Sequence, residues 1–355
     1  MKRRHIALVY NSYQTGLEES EEDRGSNADL RTMIRYMARV LRRSGHQVTL
    51  LPLGNDLFAF QRKLRRVQPD VIFNQYDDVV LGAFHEIRFA ALMRMMGFPI
   101  TGSAELSLGL CRFKYVTSCL LAGMGVPVPP QTCLVDSLRM VEQKEWEYPL
   151  IVQPSQEHAG IGTDRDSLVT SKQGLRKKVR EILKAYNQPA VVQQFCPGRE
   201  FNVGILGASK MRVLPLAEMD YSQLPPHVPP IMSYAAKWLE STDEYECIDV
   251  TCPAEVEPGL ARAIEEVALS AFRAVGGRGY GRVDIRLDEQ GQPRVLDVNC
   301  NPCLDDEMGL ARSAAAAGIS YPELLDQIIE CAFEPNPYEV ELPIFQKLPA
   351  QLAGV

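Results

Sequence analysis

Three oxygen-bearing side chains near the C-terminal end of the chain have the types and spacing to do chemistry: Asp284, Asp297 and Asn299. Gly281–Leu287 and Arg294–Val298 read as two β-strands joined by Asp288-Glu-Gln-Gly-Gln-Pro293, whose Gly291 suits a tight turn. Side chains alternate faces along a strand, so Asp297 and Asn299 point the same way, and Asp284, midway along the partner strand, can face the same side. Two carboxylates and an amide oxygen at one strand end are the sparse, hard donor set that Mg²⁺ prefers when phosphates and water complete its shell. Such an ion bridges phosphates and neutralises the charge that develops in transfer. Two acidic residues on a solvated hairpin have the same spacing, so the spacing alone leaves both readings open.

The elements that must position this trio begin with strand–helix alternation. Strands are expected at His5–Tyr10, Val48–Leu53, Asp70–Asn74 and near Pro99–Thr101. Helices are expected at Asn27–Ser44, Leu57–Val67 and near Phe84–Met96, with the acidic stretch Gln14–Ser26 as a surface loop. This alternation makes a parallel, doubly wound sheet, whose ligands sit at the carboxyl ends of the strands. After residue 105 the pattern changes. A helix over Tyr115–Met124 stops at Gly125, and Val126-Pro-Val-Pro-Pro130 is an extended connector. Strands Tyr148–Val152 and Ala190–Gln194 flank a glycine-containing loop and a basic helix, Gly174–Ala185. Phe201–Leu206 and Arg212–Leu216 read as an antiparallel pair, residues 257–275 as a long amphipathic helix, and Tyr321–Cys331 as the last helix, before a proline-spaced tail.

Bulk properties narrow the function classes. The 355 residues carry a formal charge of −7, which argues against a nucleic-acid surface, and the basic runs Lys2–Arg4 and Arg62–Arg66 are short. No apolar stretch approaches the ~18–20 residues of a membrane span. Nine cysteines without regular spacing fit a reducing compartment, so a cytoplasmic location is expected. Cys300-Asn-Pro-Cys303 is one isolated Cys-x-x-Cys, weak support for zinc or redox work. Gly276–Gly281 precedes a strand instead of opening a helix, so it is not a dinucleotide fingerprint.

Seven segments, in order, resemble the ATP-grasp superfamily and within it are most similar to D-alanine–D-alanine ligases. They are Phe73-Asn74; Pro99-Ile-Thr-Gly-Ser103; Lys114 with Met124-Gly-Val-Pro-Val-Pro; Pro149-Leu-Ile-Val-Gln153-Pro-Ser with Gly160-Ile-Gly162; Gly198-Arg-Glu200-Phe-Asn-Val-Gly-Ile-Leu-Gly207; Ala236-Lys237-Trp; and the hairpin with Asn299-Cys-Asn-Pro302. The resemblance implies mixed α/β and α+β architecture: a Rossmann-like domain over 1–105, a central ATP-grasp subdomain with a lid loop over 106–192, a C-terminal ATP-grasp subdomain with the metal site over 193–333, and a tail over 334–355. It implies an ATP-dependent carboxylate–amine ligase using Mg²⁺, with Mn²⁺ as the alternative ion, and small-molecule acid and amine substrates. A homodimer is left open. By this similarity Lys114, Gln153, Ser155, Gly160 and Gly162 surround the phosphates, and the backbone of Gln193, Gln194, Phe195 and Cys196 reads the adenine edge, with Phe195 in the core. Glu200 accepts the ribose hydroxyls, Lys237 reaches the γ-phosphate, and Arg282 stabilises the acyl phosphate and the tetrahedral intermediate. Asp284, Asp297 and Asn299 hold the metal.

The chain departs from the family pattern at informative places. Gln153 stands where the family has Lys, Gln193 where it has an acidic residue, Phe113 where it has Asp, and Cys303 where it has Gly. The stretch after the third strand reads Gln75-Tyr-Asp-Asp-Val-Val-Leu-Gly82. The family's carboxylate-gripping Ser falls near Met308, in Leu304-Asp-Asp-Glu-Met308, which suits an amine-rich nucleophile and argues against D-alanyl-D-alanine as product. A nucleotide-binding homologue that has lost turnover is the alternative, and Gln153 is its best support. His158, in the lid, could touch substrate or phosphate or stand exposed in the loop.

Overall fold

The computed structural model describes residues 2–11, 21–54, 56–76, 84–158 and 160–335, with side chains of 21–29 excepted. The N-terminal strand His5–Asn11 pairs in parallel with Gln47–Leu53 on one side and Val71–Gln75 on the other. Ile6, Ala7, Leu8 and Val9 are all fully buried, as expected for a parallel strand covered on both faces. The strand expected near Pro99–Thr101 is reduced to one parallel bridge, Ile72 to Ile100. The helix expected from Asn27 begins earlier, at Glu21, so residues 21–26 are helical and not loop. The acidic composition read as a solvated loop is also what the first turn of a helix favours. Residues 14–20 of that stretch, 77–82 of the third-strand segment and most of the tail lie outside the described residues.

The central sheet is antiparallel, in the order Cys133–Val135, Ala190–Gln194, Leu150–Pro154, Leu168–Val169. Helix Lys172–Ala185 lies against it, capped by the Ser171 hydroxyl, which accepts from Gly174 N. Leu175, Val179 and Ile182 supply its buried stripe, and Val135, Val152 and Val192 the sheet's, in a core separate from the rest. Lys178 is buried in that interface, but its ammonium reaches Asp164 at 2.7 Å and Glu181 at 3.0 Å.

The third sheet carries the hairpin. Its order is Asp249–Thr251, Ala217–Asp220, Glu200–Gly207, Gly279–Leu287, Pro293–Asn299, with Arg212–Val213 alongside Glu200–Gly207. The pair expected from Phe201–Leu206 and Arg212–Leu216 is thus only two residues long on its second strand. Pro215 lacks the N–H that would extend the ladder. The main partner of Glu200–Gly207 is instead Gly279–Leu287, antiparallel from Gly279 opposite Gly207 to Arg286 opposite Glu200. Helix Pro258–Ala274 packs Ile264, Ala268, Ala271 and Phe272 on this sheet, in a core shared with Val9, Leu51 and Ile72 of the first sheet. The first and third sheets therefore share an interior, whereas the central sheet has its own.

Candidate nucleotide and metal site

The hairpin turn is set by Asp288, whose Oδ1 accepts from Gln290 N at 3.0 Å and Gln292 N at 2.8 Å, with Gly291 at φ +73°. From there the strands run so that Asp284 lies opposite Asp297 and Arg282 opposite Asn299. The register slips after Asp284: Ile285 faces Val295, so Leu296 is the extra residue of a bulge. Leu296 and Asp297 consequently both line the same cavity. On the opposite face Val283, Ile285, Val295 and Val298 are buried, which fixes the polar residues outward into the cleft.

Asp284 is held from two sides. Arg282 donates Nε to Oδ1 at 2.7 Å and Nη2 to Oδ2 at 2.9 Å, and Asn202 Nδ2 donates to Oδ1 at 2.8 Å. Asn299 keeps its amide oxygen in the cleft, where it accepts from Asn301 N at 2.9 Å. Desolvation raises the Asp297 carboxyl above its usual range, and the Asp284 carboxylate adds to this, although Lys114, Arg282 and Lys237 pull the other way. Desolvation opposes the Arg282 charge, but Asp284 and then Asp297 hold the guanidinium above its ordinary value. A desolvated carboxylate facing a second one is a place where a cation lowers the energy, and the donors are all oxygen. Among the described residues no three His, Cys, Asp or Glu side chains gather as a metal group. Two carboxylates and an amide therefore fit Mg²⁺ or Mn²⁺ completed by phosphate and water, and do not make a zinc site.

Glu200 sits across the cavity, buried, with Oε2 accepting from Arg286 Nη1 at 3.0 Å and from Tyr221 Oη at 2.8 Å. Burial first, and then the Glu200 charge, push the Tyr221 phenol well above its usual value. Arg286 also donates to Gly198 O and Pro230 O and lies 4.6 Å over the Phe195 ring. Phe195 is therefore half-buried in the cavity wall and not in the core, because the guanidinium covers one face of its ring. In the adjoining hinge, Gln194 N donates to Pro130 O and Phe195 N to Pro149 O. Cys196 is the position there whose N–H has no backbone partner among the described residues. Gln193 is buried, and its amide donates to Thr132 Oγ1 at 3.1 Å. Gln193, Gln194, Phe195 and Cys196 all line the cavity, and burial pushes the Cys196 thiol up to about 11.

The lid lies over these groups. Lys114 donates Nζ to Glu157 O at 2.6 Å, and Tyr234 N donates to Thr163 O at 3.0 Å. Gly160, at φ +81°, lies so close to the Ser233–Tyr234 backbone that a Cβ would come within 2.9 Å of Tyr234 N. This seats the lid on helix Tyr234–Trp238, which carries Lys237. Desolvation lowers the Lys237 ammonium, and Arg282 lowers it further, despite Asp284 and Asp297. Lys114, Gln153, Gly160, Glu200, Lys237, Arg282, Asp284, Asp297 and Asn299 converge on one cavity of about 800 Å³. Ser155 and Gly162 do not reach its wall. Ser155 is buried behind the lid, donating N to Pro189 O, and Gly162 packs on the Pro154 ring.

Several groups of the site escaped the sequence reading. Asn202 and Arg286 were legible in principle, since they follow Glu200 and Asp284 by two residues on strands whose face was known. Leu296 depends on the bulge, and Tyr221 on a loop. Asn301, just past strand Pro293–Asn299, ties strand Gly279–Leu287 to helix Phe84–Met95, accepting from Tyr280 Oη at 2.6 Å and donating to Glu86 Oε1 at 3.0 Å. Of the acidic stretch Glu307 and Met308 reach the wall, whereas Asp306 bonds Tyr36 and Asp305 caps Glu307 N. The two cysteines of the Cys-x-x-Cys diverge. Cys300 is buried with its Sγ 3.3 Å from Cys111 Sγ, and Cys303 is exposed.

A family model described as the D-ala D-ala ligase C-terminus matches residues 120–330. The uncharacterized protein y4sG of Sinorhizobium fredii is 30% identical over 297 residues, covering 82% of this chain and 84% of that protein. D-alanine–D-alanine ligase of Thermotoga sp. is 30% identical over 298 residues, with 83% and 89% covered. A crystal structure of D-alanine–D-alanine ligase from Bacillus anthracis complexed with ATP superposes with a TM-score of 0.70 at 20% identity, over 93% of this chain and 97% of that one, which supports the ATP-grasp fold. No helix among the described residues is long and apolar enough to cross a membrane. Matched over residues 120–330 and 30% identical to relatives across more than four-fifths of its length, the chain belongs to the D-alanine–D-alanine ligase family of ATP-grasp ligases.

Proposed function

We propose that the protein is an ATP-dependent carboxylate–amine ligase that works through an acyl phosphate and releases ADP and phosphate. The observation that carries this reading is the convergence of Lys114, Lys237 and Arg282 with Asp284, Asp297 and Asn299 on one cavity, with Glu200 across it. Lys114 and Lys237 hold the triphosphate, Glu200 accepts the ribose hydroxyls through the oxygen that Arg286 and Tyr221 leave open, and the hinge at Cys196 meets the adenine edge. Asp284, Asp297 and Asn299 would hold Mg²⁺, or Mn²⁺, whose role is to neutralise charge at the phosphates. The substrate carboxylate attacks the γ-phosphorus, and ADP leaves. The amine then attacks the acyl carbon, and Arg282 faces the oxyanion that forms, a role met by positioning and charge rather than covalent work.

The substrates are small molecules and the reaction takes place in the cytoplasm, with no nucleic acid or membrane partner. The test is ADP and phosphate release from Mg-ATP across D- and L-amino acids and aliphatic diamines, with hydroxylamine as a general trap for acyl phosphates and mass spectrometry of products. Hydroxamate formation with one class of carboxylate supports the reading, and ATP binding without turnover across the whole panel defeats it. That second outcome is the alternative, a nucleotide-binding homologue without turnover, for which the neutral Gln153 in the cavity wall is the favouring observation.

A further inference from the structure

We propose that His158 is the proton acceptor for the amine nucleophile, an inference that rests on the ligase reading above. The imidazole lines the cavity from the lid, and its Nε2 is shielded from bulk water without a hydrogen-bond partner. A buried polar atom left unsatisfied costs ~1–3 kcal/mol, so its persistence in a cleft wall points to a partner that arrives with the ligand. The lid is fixed beside it: Lys114 grips the Glu157 carbonyl, and Ile161 N bonds the His158 carbonyl at 3.0 Å. The charged groups facing the ring come from four elements. They are Arg112 at the end of helix Glu105–Arg112, Lys114 opening the next helix, Lys237 on helix Tyr234–Trp238 and Arg282 on the metal strand.

All four are cations, and burial first and then these charges keep the ring well below its ordinary pKa, so it is neutral. A neutral ring has one lone-pair nitrogen, and the unpartnered Nε2 is assigned as that acceptor. The competing bases are engaged: Asp284 by Arg282 and Asn202, Glu200 by Arg286 and Tyr221, Glu86 by Asn301. Asp297 faces the metal position, Lys237 is needed against phosphate, and Glu307 is exposed to solvent.

An amine substrate enters as ammonium and cannot attack until one proton leaves. Nε2 takes that proton, the freed nitrogen lone pair forms the C–N bond, and the C–O bond to phosphate breaks with its electron pair on the departing phosphate. The second proton of the tetrahedral nitrogen leaves with that phosphate, so products are amide, hydrogen phosphate and a protonated His158. Binding of the anionic triphosphate offsets the four cations and raises the ring's basicity when the base is needed.

The test uses the full chain and the variant His158→Gln. Hydroxylamine is neutral at pH 7 and needs no base, whereas an amino acid or diamine does. The expected result is that His158→Gln forms hydroxamate at near the wild-type rate while its amine-dependent rate falls ~100-fold or more. The acidic limb of the amine-dependent pH profile should also disappear. In ¹⁵N-histidine NMR of the free protein, with His158 assigned among five histidines by its loss in the variant, the ring should titrate well below an ordinary histidine and shift upward with ATP. Equal loss with hydroxylamine and with amine, an unchanged amine rate, or a ring already protonated at neutral pH overturns the proposal. A wild-type protein that forms no hydroxamate with any carboxylate instead overturns the ligase reading itself.

Discussion

Arg282 and Asp284, two residues apart on one strand, face the same way and close a two-point ion pair at 2.7 and 2.9 Å. This places the guanidinium directly over the carboxylate that a metal ion needs. On the proposed ligase reading, ion arrival and reorientation of Arg282 toward the acyl group would be coupled, because the same carboxylate cannot saturate both. Asp297, opposite Asp284, has no such two-point partner among the described residues, and desolvation first, then the Asp284 charge, raises its carboxyl against the pull of Lys114, Arg282 and Lys237.

Asp297→Asn removes one donor charge while keeping size. Turnover should fall at least ~100-fold, in the range seen when one electrostatic stabiliser of a transition state is lost. Because the native carboxylate is desolvated beside another, the thermal midpoint should stay level or rise. ADP release together with a melting curve checks both, and an unchanged rate removes Asp297 from the metal set.

Gln153→Lys restores a cation in the cavity wall. A charge-assisted hydrogen bond to phosphate contributes ~1.5–3 kcal/mol, so ATP affinity should rise about tenfold or more in calorimetry. Unaltered affinity would mean that this side chain does not face the triphosphate.

Arg286→Met leaves Glu200 buried without its ion-pair partner and the Gly198 and Pro230 carbonyls without a donor. Breaking a buried pair costs ~3–5 kcal/mol. Urea unfolding should register that loss, and Glu200→Gln, which keeps a hydrogen-bonding group, should cost less.

Gly160→Ala puts a Cβ against the Ser233–Tyr234 backbone at a positive φ. The lid should be displaced from Lys237, weakening ATP binding about tenfold while global stability changes by ~1 kcal/mol or less, since the loop carries little core. Parallel binding and melting measurements separate the two effects.

Arg165 bonds Glu244 at 2.5 and 2.7 Å, tying the turn that follows the lid to helix Asp243–Glu246, and this holds the Glu244 carboxyl below its usual range. A carboxyl depressed in the folded state contributes stability that is fully present above its unfolded value, about 4.3, and lost as pH falls through the lower folded value. Arg165 is open to solvent, which screens the pair and keeps the effect small. Acid titration of Glu244→Gln should lack this component.

The sequence by itself determined the hairpin, the trio at its end and the order of elements, because period-two alternation and Gly291 are local and the ordered segments carry the family. It also placed Tyr321–Cys331 and Leu57–Val67 at the observed ends. What tertiary structure decided depends on groups far apart in sequence. The main partner of Glu200–Gly207 lies some seventy residues on, in Gly279–Leu287, and a bulge turns Leu296 into the cleft. Phe195 is half-buried in the cavity wall with Arg286 over its ring, and Ser155 and Gly162 sit against Pro189 and Pro154 outside the cavity lining. Spacing sets which way a side chain points along its own strand, and only packing sets what it meets there.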